Sequence, residues 1–247
     1  MIIGLIVIIT ELIILYILSR KLTQNMFIAV FLLTKSRPAA VGFLSLLFFP
    51  GTVIHELAHL FTAEILGVRT SGLTLVPEGI EQKEVRTGSV SIAQSDPIRR
   101  AVIGIAPVFV GLSTLGILSY FLPDVWEQVL LDIQNGILLT SYSLYIFALM
   151  VYAFFAVSNT MFSSPEDLEG FWPVVGIITL LSAALYIAGI RINLTETTLG
   201  NVTQLFRSAG FMLGYIGALN IALYLLSRGS INLVEKLTNR TLTHQRQ

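Results

Sequence analysis

Six apolar runs of roughly bilayer length punctuate the chain, at 2–19, 39–66, 101–122, 137–157, 171–190 and 208–227. About 20 such residues, wound as a helix, match the roughly 30 Å hydrocarbon core of a membrane. No water reaches the backbone there, so only helices and closed barrels can cross. Runs of this length without strict alternation suit helices. The composition agrees, being 54% hydrophobic and 12% charged, about half the charge of an ordinary soluble domain. The expected fold is an all-α integral membrane protein, a polytopic bundle of about six transmembrane helices.

Residues 1–19 lack a basic start and a small-residue cleavage site and end at Arg20-Lys21, so they read as a retained span rather than a removed signal peptide. Met26–Leu33 is too short to cross and reads as an interfacial helix, which makes residues 1–38 a first unit. Glu11 reads as an interhelical polar contact. The second run would be about 42 Å long as a straight helix, and Pro50-Gly51 in its middle predicts a kink or break.

The segment 68–97 changes character. Leu73-Thr74-Leu75-Val76 and Ser89-Val90-Ser91-Ile92-Ala93 are β-prone and separated by Gly and Pro, which predicts a small β-hairpin or sheet after the second helix. Asp96-Pro97 suits the start of the third helix, where Gly104, Ala106, Gly111 and Gly116 would allow close helix packing. Residues 39–170 form a core on this reading and 171–227 two C-terminal transmembrane helices. Residues 228–247 form a basic tail in which His244 is incidental.

Within the second run lies His55-Glu56-Leu57-Ala58-His59, which holds two of the three histidines. A helix brings residues four apart onto one face, so both imidazoles can reach one metal ion. Two imidazoles and a carboxylate in a membrane segment are costly unless they serve a site. Glu56 is the candidate base. Glu64, five residues beyond His59, points about 140° away and cannot easily share the metal. The chain has no cysteine, so further ligands must be carboxylates, and the acidic stretch after the fourth run offers Glu166, Asp167 and Glu169. Two histidines one turn apart cannot ligate opposite faces of a haem, and three are too few for a multi-histidine di-iron centre. A net charge of zero, 15 basic against 15 acidic residues, argues against a nucleic-acid partner.

These features together resemble the site-2 protease family of intramembrane zinc metalloproteases, in its compact six-span form without a PDZ-like insertion. The resemblance rests on His55-Glu56-Leu57-Ala58-His59 in a membrane helix, the β-prone segment after it, the small-residue-rich third run and Asp167 beyond the fourth. It implies Zn2+ held by His55, His59 and Asp167, Glu56 as general base, and Asn159 as a contact to substrate backbone. It also implies a membrane-protein substrate cut within or beside the bilayer, and residence in the cell membrane of a prokaryote. The first span would then run outward, placing the active site nearer the cytoplasmic side. Lys and Arg number nine in 68–100, 158–170 and 228–247 against six in the intervening segments, a bias of matching sign. The alternative is a non-proteolytic membrane metal-binding protein, a sensor, transporter or structural site, which would have no need of Glu56.

Overall fold

The structure is a computed structural model and describes residues 2–75, 88–162, 164, 167, 171–189 and 195–238. The described residues are mostly helical. Their order is α1 (Ile2–Thr34), α2 (Arg37–Ile65), β1 (Thr70–Thr74), β2 (Ser89–Ile92), α3 (Pro97–Gln134), α4 (Tyr142–Thr160), α5 (Phe171–Ile187) and α6 (Glu196–Thr238). Five helices, α1 to α4 and α6, are long and apolar enough to cross a membrane.

Two expectations are corrected at α1 and α2. Met26–Leu33 is not a separate interfacial helix but the last part of α1, which runs 33 residues unbroken. Arg20-Lys21 contains no helix breaker, and Leu22, Met26 and Phe27 pack on Leu44, Phe48 and Phe155, so the helix continues past the charges. Pro50 does not break α2. It leaves the ladder one donor short, and Tyr152 of α4 donates its hydroxyl to the neighbouring Leu47 carbonyl at 3.0 Å.

Local chemistry sets the remaining ends. Ser36 caps α2 by accepting the Ala39 N–H, and Asp96 caps α3 by accepting the Arg99 N–H at 3.0 Å, with Pro97 in the first turn. Gly67, at φ 68°, closes α2 while the Val68 N–H bonds back to the Ala63 carbonyl. At the α3–α4 corner, buried Asp132 accepts the hydroxyls of Ser141 and Ser143 and the Gln128 amide.

The hairpin expected after α2 is present. β1 and β2 pair antiparallel in the register Thr70 to Ile92, Gly72 to Ser91, Leu73 to Val90 and Thr74 to Ser89, with an irregularity at Ser71. Its turn lies outside the described residues.

The expected span at 171–190 is α5, and it is shorter than the other five helices. Its 17 residues rise about 26 Å, and Gly189, at φ 79°, follows where the apolar run would have carried the helix further. The packing of α6 bears on the same count. Phe206 lies against Gly4, Gly210 and Gly214 against Glu11, Leu213 and Ile216 against Leu15, and Ser227 against Asn25. These contacts advance in step along both helices, so α1 and α6 run parallel. Alternating passes of the bundle by α1, α2, α3, α4 and α6 give that direction, and a further full pass by α5 would reverse it. Residues 228–238 therefore lie at the opposite end of the bundle from the hairpin.

Candidate metal centre

The site lies where the second half of α2 meets α3 and the segment after α4. His55 and His59 lie one turn apart on α2, with Nε2 atoms 3.2 Å apart. Asp167 approaches from the segment between α4 and α5. Its Oδ1 is 3.6 Å from His59 Nε2 and its Oδ2 is 4.0 Å from His55 Nε2. A tetrahedral ion with bonds of about 2.0–2.1 Å holds its donors roughly 3.3–3.4 Å apart. The two imidazole nitrogens match that separation, the carboxylate stands a few tenths of an ångström further out, and with one donor atom from each residue the three lie within 4.8 Å of one another, so this donor set can hold a metal ion. The residues present fit the group.

The shell around the ligands fits as well. His59 is buried and its Nδ1 lies 2.9 Å from the Ile103 carbonyl of α3. A carbonyl can only accept, so Nδ1 carries a proton, and Nε2 is the atom that would turn a lone pair to a bound ion. His55 Nδ1 is buried, and the Thr160 carbonyl lies beside that ring. Asp167 Oδ2 accepts the Ser164 N–H at 2.7 Å, while the Asp167 N–H donates to Ser164 Oγ at 3.2 Å. Burial pushes the Asp167 carboxyl up, but the His59 imidazole and the Ser164 hydrogen bonds outweigh it and hold the pKa at about 2. It is a carboxylate at neutral pH.

Glycines let these parts meet. A β-carbon on Gly104 of α3 would overlap the Asp167 carbonyl oxygen, and one on Gly51 would lie 2.6 Å from the Ala156 carbonyl oxygen and overlap Thr160 Oγ1. One on Gly111 would lie 2.5 Å from Met161 Cβ. These three close contacts hold α2, α3 and the end of α4 around the ligands.

Glu56 is buried beside the histidines. The chain just before β2 rests on it, since a β-carbon on Gly88 would lie 2.8 Å from Glu56 Oε1 and 3.0 Å from Thr52 Cγ2. Asn159 belongs to a different neighbourhood. Its Nδ2 donates to the Phe155 carbonyl at 2.8 Å and to Asn220 Oδ1 of α6 at 2.9 Å, and its Oδ1 is buried without a partner. Glu64 is exposed. Glu166, Glu169 and His244 lie outside the described residues.

The Ile103 carbonyl, Ser164 and Asn220 were not identified from sequence, and Gly104 was read there only as a helix-packing residue. A backbone acceptor leaves no trace in residue type, but Ser164, three residues before Asp167, is a spacing that could have been read. No protein-family model, curated protein or solved structure matches the chain.

Proposed function

We propose that the chain is a zinc-dependent intramembrane endopeptidase that cuts transmembrane or membrane-proximal segments of other proteins. The observation that carries this reading is the arrival of Asp167, more than a hundred residues further along, at the His55–His59 pair, with the buried Glu56 alongside. Helices long and apolar enough to cross a bilayer surround the group, which suits a substrate drawn from the membrane.

His55, His59 and Asp167 would hold the ion, and two imidazoles with one carboxylate is a donor set characteristic of hydrolytic zinc with an open position. When bound, zinc supplies Lewis-acid polarisation of a peptide carbonyl and acidification of a water molecule. Glu56 takes a proton from the attacking water and returns it to the leaving amine nitrogen. Its side chain, adjacent in sequence to His55, projects about 100° around the helix from that ligand, which leaves it free to serve as base. A helical substrate has its carbonyls bonded and shielded, so it must unwind before attack. Strand addition along the β1–β2 hairpin would hold the unwound stretch next to Glu56. Any Asn159 contact to substrate backbone would use Oδ1, because its amide hydrogens are engaged.

The test is Glu56→Gln, which keeps shape and hydrogen bonding but cannot accept the proton. Co-expressed with a panel of tagged single-span membrane proteins, the parent should cleave members that the variant leaves intact. The expected loss is roughly 10²–10⁴-fold with bound zinc unchanged. Cleavage at the parental rate by a zinc-loaded variant would overturn Glu56 as the base, and a zinc-loaded parent that cleaves no member of the panel would favour a sensor, transporter or structural site.

A further inference from the structure

Asn220 is completely buried on α6, one turn beyond Ile216, which packs with Leu213, Leu15, Leu115, Phe154, Val157 and Met161 in an apolar cluster. Burying an amide there is costly unless its hydrogen bonds are made, and it makes two. Its Oδ1 accepts from Asn159 Nδ2 at 2.9 Å and its Nδ2 donates to Ser158 Oγ at 3.2 Å. Asn159 is tied on a second side, since its carbonyl accepts the Ser19 hydroxyl of α1 at 2.9 Å. Two helices, α1 and α6, thus converge on two consecutive residues of α4.

Those two residues immediately precede the part of the chain that completes the centre. Thr160 comes next, packed on Gly51 one turn before His55, with its carbonyl facing the His55 ring. Met161 follows, seated on Gly111, and then Ser164, which bonds Asp167 through both its N–H and its hydroxyl. Rotating or sliding the end of α4 would move Thr160 against His55 and carry Asp167 away from both histidines. A hydrogen-bonded pair of asparagines fixes rotation and register in a way that interchangeable apolar side chains do not.

We propose that Asn220 is a positioning residue for the metal centre: through Asn159 and Ser158 it sets the end of α4 and so the placement of Asp167. The proposal rests on the metal-centre reading above. It makes α6, which supplies no ligand, part of the apparatus that sets metal affinity.

The full-length protein in detergent carries the test, with zinc affinity read by chelator competition and geometry read from the visible absorption of bound cobalt(II). Asn220→Leu keeps the bulk and removes both hydrogen bonds. It should weaken zinc about tenfold, the lower end of what loss of an outer-shell partner costs, and change the cobalt band shape. Leu213→Ala, at an equally buried apolar position of the same helix, should lower the melting temperature and leave both readouts at parental values. If Asn220→Leu does not accumulate, Ser158→Ala removes one of the two bonds and should shift the same readouts in the same direction. Parental affinity and spectrum in the hydrogen-bond variant would overturn the proposal, as would equal loss of affinity in Leu213→Ala. A parental protein that binds neither metal would instead overturn the metal-centre reading itself.

Discussion

The main chain of Asp167 lies directly against Gly104, so closely that the Asp167 carbonyl oxygen occupies the space a β-carbon at position 104 would need. The neighbour is backbone and cannot swing aside. Gly104→Ala should displace the Asp167 segment and weaken metal binding while the helices remain folded. Gly42→Ala provides the contrast, because a β-carbon there meets nothing within 4 Å. On helix propensity it should be neutral or stabilising by up to about 1 kcal/mol. Metal titration and thermal denaturation of the two variants separate the effects. Parental affinity in Gly104→Ala would show that the close approach is dispensable.

The ligand set makes a separate demand. His55→Ala and Asp167→Ala should each lose zinc from the purified protein when measured by elemental analysis. Full retention in Asp167→Ala would transfer the third-ligand role to Glu166 or Glu169.

The hairpin can be tested without touching the metal. Proline placed singly at Leu73, Thr74, Val90 or Ser91 removes one backbone donor from strands whose register is known. Positions whose N–H faces the substrate should lose cleavage while zinc content stays constant. Normal cleavage by all four variants would sink the strand-addition idea.

At the α3–α4 corner, Asp132→Ala strands the Ser141 and Ser143 hydroxyls and the Gln128 amide that the carboxylate now accepts. Ser143 is buried, so leaving its hydroxyl unpaired destabilises the corner. The melting temperature should drop with zinc affinity intact. A fall in affinity would mean that this corner communicates with the centre.

Much of the site was legible in the sequence because its central part is local. The spacing of His55 and His59 becomes geometry through helix periodicity alone, and Glu56 comes with it. Asp167 was reachable because the acidic stretch stood out between two apolar runs, although only the resemblance selected it from its neighbours. The rest was hidden for identifiable reasons. The Ile103 carbonyl is backbone, and the significance of Gly104 depends on which chain passes beside it. Asn220 looks like any polar residue in an apolar helix until its partner on α4 is known. The fold errors were of a related kind. Hydropathy measures apolar length and does not register that Leu22, Met26 and Phe27 carry α1 past its charges, or that Gly189 stops α5.

The parallel pairing of α1 with α6 puts Gly72 on the hairpin and Gly229 near the end of α6 at opposite ends of the bundle. If the five long apolar helices cross a bilayer, these two positions fall on its opposite faces, whereas six crossings would put them in the same aqueous phase. Both positions have room for a side chain, and the protein has no native thiol to interfere. A membrane-impermeant maleimide applied to intact cells should therefore modify Gly72→Cys or Gly229→Cys but not both. On the same topology, a reporter fused after α6 would sit on the face away from the hairpin.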